Sequence, residues 1–198
     1  MSYNYTKELI DKAFTYETYR ANINQALAQS PSNEQEKKLR PYFEKNVKVM
    51  EQLDARYQVN ENLKKAIQKA HPAIWLVLTE GWCGDAAYNV PMMAAVERAF
   101  PEKVKLRLLL RDQNLELMDA HLTDGGRSIP KLIVLSEELK ELGTWGPRPA
   151  SLQSLMKSWK SEGLTLNELI PKVDAWYLKD NTNTMQQELT ELVESFQR

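Results

Sequence analysis

The segment AIWLVLTEGWCGDA, residues 73–86, carries the strongest structural signal in this chain. Its first half, Ala73–Thr79, is a run of β-branched, aromatic and aliphatic residues that is apolar on both faces. Such a run is typical of a strand buried in a sheet that helices cover. A glycine-containing turn follows, and Ala86 to Phe100 then reads as a helix interrupted only by Pro91. The segment therefore predicts a central strand that leads directly into a helix.

Strand and helix signals alternate downstream of this unit. Val104–Leu110 and Ile129–Leu135 predict two further buried strands, and Leu115–Leu122 predicts a short helix between them. A last strand is expected near Glu141–Trp145, followed by a helix that runs to about Lys160. This order of elements predicts an α/β fold.

The sequence on either side of this region has helical patterns. We expect one helix from Tyr5 to Leu27, a second whose regular part begins near Pro41, and a third over Asn62–Lys69. The chain is helical again from Leu166, with a break at Asn181–Asn183 before a terminal helix. We therefore predict three parts: a helical N-terminal extension over 1–72, an α/β core over 73–160 and a helical C-terminal extension over 161–198.

Composition and charge exclude several classes of function. The chain has 198 residues, of which 42% are hydrophobic and 27% are charged, and this is an ordinary globular profile. The net charge of -1 offers no basic excess for nucleic acid or an anionic membrane. No apolar run approaches the roughly 20 residues of a membrane span, and the N-terminus lacks the pattern of a signal peptide. We expect a cytoplasmic protein that binds neither nucleic acid nor membrane.

Cys83 is the only cysteine in the chain. An internal disulfide, a CxxC pair and an all-cysteine metal site are therefore excluded within one copy. The two histidines, His71 and His121, have no metal-ligand spacing with each other or with Cys83, so we predict no metal and no cofactor.

Cys83 falls where the central strand ends and the next helix begins. The unpaired N–H groups at a helix start favour an anion by about 0.3 to 2 kcal/mol and so favour the thiolate. Asp85 opposes the thiolate by about 0.7 to 2.8 kcal/mol if its carboxylate lies about 6 Å away. These effects are of similar size, and the direction of the Cys83 pKa shift is left open.

The loop Trp82–Ala86 resembles the active-site loop of thioredoxins, in which a tryptophan precedes a CxxC pair at the start of a helix. Pro91 falls where thioredoxins kink that helix. Ile129 and Pro130 resemble the end of the stretch that carries the family's cis-proline, which faces the active cysteine. The resemblance covers about 73–160 and implies a thioredoxin-like three-layer core with a central mixed sheet.

Three departures from the thioredoxin pattern affect the chemistry that the resemblance implies. Ala86 replaces the second cysteine, Asp85 stands where thioredoxins usually have proline, and Val77 stands where they commonly have a buried acid. The chain looks like the WCGD branch of thioredoxin-like proteins, with alanine at the second cysteine. Dithiol chemistry is then absent, and a mixed disulfide at Cys83 would persist until an outside thiol released it.

Two functional hypotheses follow from this resemblance. In the first, the chain is a monothiol disulfide oxidoreductase whose partners are protein or small-molecule thiols and disulfides, whereas in the second it is a redox-inactive module that binds a protein or peptide. The sequence leaves the oligomeric state open. We predict catalytic roles for Cys83, Trp82 and Asp85, and substrate-binding roles for a second set around the same groove: Ile129, Pro130, Trp145 and Arg148.

Overall fold

A computed structural model describes residues 3–196, so the outermost residues of both predicted extensions, 1–2 and 197–198, lie outside it. Within the described part, one sheet holds the strands β1 (Ala73–Thr79), β2 (Val104–Leu110), β3 (Lys131–Ser136) and β4 (Glu141–Trp145). Their order is β2-β1-β3-β4, in which β1 and β2 are parallel and the other two pairs are antiparallel. The predicted α/β fold with a central mixed sheet is confirmed.

Helices surround the sheet and form both extensions. In chain order they are α1 (Lys7–Lys12), α2 (Tyr16–Ala28), α3 (Glu34–Asp54), α4 (Glu61–Lys69), α5 (Gly84–Ala99), α6 (Leu115–Asp119), α7 (Ala150–Ser161), α8 (Leu166–Asp180) and α9 (Asn183–Ser195), and a 3₁₀ turn spans Arg111–Gln113. α5 contacts β2 on one side and α3 on another, while α9 contacts β4 and α4. α3 therefore lies outside the helix that follows the central strand.

The core is built on β1, β3 and α5. Residues 75–79 of β1 and 131–135 of β3 are buried, which explains the absence of polar alternation in both runs. Residues 86–96 of α5 are buried on every side. The sheet packs on one face of α5 and α3 packs on another, so the helix is apolar on all sides instead of having one apolar face.

The predicted single helix from Tyr5 to Leu27 is wrong, because the chain forms α1 and α2 with a break at residues 13–15. At the break, the Phe14 N–H donates to the Leu108 carbonyl at 2.9 Å, and the Leu108 N–H donates back to Phe14 at 2.8 Å. Thr15 then caps α2 by accepting a hydrogen bond from the Thr18 N–H. The break thus adds a short backbone bridge to the edge of β2.

α3 begins earlier than predicted. The Asn33 side chain accepts a hydrogen bond from the Glu36 N–H, so the helix starts at Glu34 and Pro41 lies inside it. Near the middle of α3, the buried Asn46 side chain donates to the Gly81 carbonyl at 2.9 Å. This bond ties α3 to the turn that precedes Cys83.

Among the helices of residues 3–196, none combines the length and the apolar character needed to cross a membrane.

Candidate functional site

Cys83 occupies the N-cap position of α5, directly after the turn that ends β1. Its thiol donates a hydrogen bond to the Ile129 carbonyl oxygen, with an Sγ to O distance of 3.2 Å. The Ile129–Pro130 peptide bond is cis. The cysteine is 8% exposed, so its sulfur lies at the floor of the site rather than at the surface.

An open cleft of about 770 Å³ lies over this sulfur. Its floor is the loop 83–85 together with the segment 127–129, and its walls come from Trp82, α3, α7 and α8. The residues predicted for the site that line this cleft are Trp82, Cys83, Asp85, Ile129 and Arg148. Both helical extensions therefore contribute walls to a site whose floor belongs to the predicted core.

Asp85 is anchored by partners from distant parts of the chain. The Arg148 Nε lies 3.1 Å from each oxygen of the Asp85 carboxylate, and both side chains are largely shielded from solvent. Tyr177 of α8 donates its hydroxyl to Asp85 Oδ1 at 2.7 Å and accepts a hydrogen bond from Asn89 at 2.9 Å. The Asp85 carboxylate therefore joins the start of α5 to the β4–α7 connection and to α8.

The surroundings of Cys83 raise the pKa of its thiol to about 12. Burial is the largest cause, because it removes water from around the charged form, and the Asp85 carboxylate adds to it. The backbone N–H groups of Ala86 and Asp85 and the Arg148 guanidinium act in the opposite direction, and they are outweighed. The helix start does favour the thiolate, but desolvation is the larger effect and therefore raises the pKa of Cys83.

Trp82 forms one side of the cleft. The guanidinium carbon of Arg111 lies 4.9 Å from the centroid of the Trp82 ring, which is a cation–π contact. The indole is half-buried, so it keeps a surface that faces the cleft. Trp82 therefore offers a flat apolar wall whose orientation Arg111 supports.

Two residues predicted for substrate binding do not line the cleft. Trp145 is 8% exposed, and its indole N–H donates to Glu188 of α9 at 2.6 Å, so the expectation that it borders the groove is corrected. Its side chain is used in packing α9 against β4, a contact between distant segments. Pro130 is buried and does not line the cleft.

Several residues of the site carry no signal in the sequence. Tyr177 and Asn89 complete the contacts of Asp85, and an apolar wall from α3 and α8 faces the loop that holds Cys83. Tyr177 and the wall residues of α3 and α8 lie in ordinary amphipathic helices, where nothing local separates a wall of a cleft from a core face, and Asn89 lies within the fully buried part of α5. Only the packing of the extensions brings the residues of α3 and α8 to the site.

His121 and the rest of the described chain offer no metal site. His121 is buried away from Cys83, where its ring nitrogens contact the Leu117 carbonyl at 2.8 Å and the Glu141 carboxylate at 3.0 Å. No group of three or more His, Cys, Asp or Glu side chains within residues 3–196 is arranged to hold a metal ion. These contacts give His121 a structural role between α6 and β4.

Comparison with known proteins supports the fold at two levels. The chain is similar over its whole length to a crystal structure of a protein of unknown function from Pseudomonas aeruginosa, with a TM-score of 0.60, 16% identity and coverage of 97% of this chain and 98% of that one. A crystal structure of an HIV epitope-scaffold gives a TM-score of 0.61 at 17% identity, covering 94% of this chain and 96% of that chain. No sequence among the curated proteins matches the chain. A family model described as Thioredoxin matches residues 32–160, which is well over half of the chain, and the chain therefore belongs to the thioredoxin family.

Proposed function

We propose that this chain is a redox-silent binding module that holds an extended peptide in the cleft above Cys83. The observation that carries this function is the pairing of a peptide-sized cleft with a buried, hydrogen-bonded thiol at its floor. Cys83 then serves as a neutral donor that holds the Ile129 carbonyl in place. In this proposal the chain is a member of a WCGD-type branch of the family and has alanine at the position of the second cysteine.

The state of the thiol supports a non-redox role. With its pKa raised to about 12, the Cys83 thiol is almost entirely neutral at pH 7. The thiolate is the nucleophile in disulfide exchange, so its small population limits the rate of attack. Ala86, which is 1% exposed, also provides no thiol to resolve a mixed disulfide.

The polar groups around the cleft support the binding of a peptide backbone. The Ile129 N–H donates no hydrogen bond within residues 3–196, so it is free to pair with a peptide carbonyl. Asn46 lines the cleft and is 2% exposed, and its Oδ1 accepts no hydrogen bond from the described chain. A donor and an acceptor of this kind match the N–H and C=O groups of an extended peptide. The cleft volume also lies within the roughly 300 to 1,000 Å³ of ligand sites.

Monothiol exchange at Cys83 is the second candidate, because the sulfur borders an open cleft at a helix start. In that chemistry the thiolate attacks one sulfur of a substrate disulfide, forms a new S–S bond and releases the other sulfur as a thiolate. A second thiol, from a protein or a small molecule, then displaces Cys83 and leaves it reduced. Each exchange conserves one disulfide, so no further oxidant or reductant is required.

Disulfide-reduction assays with excess small thiol distinguish the two functions. The assays compare the wild-type chain with Cys83→Ser and Ala86→Cys. We expect wild type and Cys83→Ser to show the same background rate, and both proteins to select the same sequences from a displayed random peptide library. Turnover in wild type that clearly exceeds Cys83→Ser would overturn the redox-silent function, and turnover only in Ala86→Cys would show that the scaffold lacks only the second thiol.

A further inference from the structure

The side of the cleft formed by α3 and α8 has an apolar surface that the protein leaves uncovered. Leu39, Leu166 and Ile170 line the cleft. Within residues 3–196, none of the three belongs to the hydrophobic core or to the apolar layer that packs against it. Leu166 is 61% exposed, which is unusual for a leucine that points toward a concave surface. We call these three side chains the apolar trio.

Basic residues outnumber acidic ones in the lining of the same cleft. The charged lining residues comprise two acids, Asp85 and Asp174, and five bases, which are Lys38, Lys45, Arg111, Arg127 and Arg148. Four of the bases form ion pairs: Lys45 with Asp174, Arg111 with Asp112, Arg127 with Asp119 and Arg148 with Asp85. Lys38 is exposed and forms no ion pair in the described part of the chain. Lys38 also precedes Leu39 of the apolar trio, so a free cation and an uncovered apolar surface occupy the same wall.

We propose that the cleft selects peptides in which a large aliphatic or aromatic side chain is accompanied by an acidic one. The inference rests on the proposed peptide-binding function and names the class of peptide. The large side chain contacts the apolar trio, where it covers surface that is otherwise exposed to water. The acidic side chain pairs with Lys38, and the peptide backbone pairs with the Ile129 N–H.

Charge complementarity favours this peptide over a basic one. A basic side chain would find both lining carboxylates already paired, and it would be repelled by Lys38, the lining base without an ion pair in the described chain. A peptide without a large apolar side chain would leave the apolar trio exposed. The acidic side chain and the large apolar side chain of the peptide therefore both contribute to selection, and each can be removed separately.

A random 12-residue peptide library displayed on phage, selected with the immobilised full chain, tests the inference. We expect the enriched sequences to combine Leu, Ile, Met or Phe with Asp or Glu. A fluorescein-labelled peptide of the most enriched sequence then serves as the probe for affinity by fluorescence anisotropy. Replacing its acidic residues with lysine, or its large apolar residue with serine, is expected to weaken binding about fivefold to tenfold.

Matched variants on the same helices locate the binding surface. We expect Lys38→Glu to weaken binding of the probe about fivefold, whereas Lys48→Glu, an exposed residue of α3 outside the cleft, leaves it unchanged. We expect Leu166→Ser to weaken it about tenfold. Leu178→Ser is its control, because Leu178 is 55% exposed on α8 and does not line the cleft.

The outcomes separate this inference from the function on which it rests. Enrichment of basic sequences, or of sequences without large apolar residues, would overturn the inference and leave peptide binding intact. The same holds if the control variants weaken binding as much as the cleft variants do. If the library gives no enrichment with either wild type or Cys83→Ser, the peptide-binding function fails and the inference fails with it.

Discussion

The thiol of Cys83 has one carboxylate, that of Asp85, and one guanidinium, that of Arg148, among the groups that affect its ionisation. The rise of its pKa from 9.0 to about 12 corresponds to about 4 kcal/mol in favour of the neutral thiol. A helix N-terminus supplies at most about 2 kcal/mol in the other direction. Because this net rise already includes the helix start, burial of the thiolate and the Asp85 carboxylate together outweigh the backbone N–H groups and the Arg148 guanidinium.

Replacing Asp85 with asparagine is expected to lower the Cys83 pKa. The change removes the negative charge that opposes the thiolate and leaves the Arg148 charge, which favours it, without its partner. At pH 9 the thiolate fraction then increases, so alkylation by iodoacetamide should be faster than in wild type. The measurement is the second-order rate of alkylation as a function of pH.

Arg148→Gln provides the opposite test of the same electrostatics. This change removes the cation and leaves the Asp85 carboxylate uncompensated, so the Cys83 pKa is expected to rise and alkylation at pH 9 to slow. An unchanged or raised alkylation midpoint in Asp85→Asn would contradict the assigned role of the carboxylate. If the Cys83 pKa changed by the same amount and in the same direction in both variants, the cause would be a general loosening of the site.

The sequence predicts the part of this site that is local. Cys83 follows β1 closely and Ile129 lies just before β3; because β1 and β3 are antiparallel, the end of one and the start of the other lie at the same end of the sheet. Tyr177 reaches Asp85 from 92 positions away, and no local pattern marks it. Trp145 could not be placed either, because its position depends on the docking of α9.

At the scale of elements, the connection between β4 and α7 is held close to the start of β3. Gly146 adopts a φ of 110°, a conformation that L side chains rarely adopt. A methyl group added to Gly146 would lie 2.3 Å from the Pro130 carbonyl oxygen. This close approach of two backbone segments positions Arg148 beside Asp85.

Gly146→Ala is expected to destabilise the protein by about 2 to 5 kcal/mol, because the strained φ and the backbone clash both contribute. Gly163→Ala is the matched control, since its φ of 84° is also positive while no atom lies within 4 Å of the added methyl group. We expect this control to lose about 1 kcal/mol. Urea unfolding measures both, and equal losses in the two variants would contradict the role given to the close approach.

Element boundaries differ from prediction where a tertiary contact competes with local pattern. The apolar spacing from Tyr5 to Leu27 is compatible with one helix, but Phe14 instead pairs with Leu108 of β2. Leu108 is remote from Phe14 in the sequence, so no local pattern indicates the break between α1 and α2. α3 shows the reverse case, because the Asn33 cap starts the helix ahead of Pro41 and the proline is accommodated within it.

At the scale of the whole molecule, the two helical extensions pack against each other as well as against the sheet. Gln186 of α9 accepts a hydrogen bond from the Asn60 N–H at 2.7 Å, at the start of α4. On the other side of α9, Glu188 accepts from the Trp145 indole N–H. Across the cleft, Lys45 of α3 is paired with Asp174 of α8. These contacts make the extensions part of the folded unit that forms the cleft.

Leu189→Ala tests whether this C-terminal helix shares the stability of the sheet. Leu189 is fully buried in α9, and its truncation is expected to lower the free energy of unfolding by about 2 to 5 kcal/mol. Leu178→Ala on α8 is the control, with an expected change within about 0.5 kcal/mol, because that side chain is 55% exposed. Urea unfolding followed by far-UV circular dichroism and by tryptophan fluorescence should give coincident transitions in both variants. If Leu189→Ala instead separates the two transitions, or costs no more than the control, α9 is an appendage that does not share the stability of the sheet.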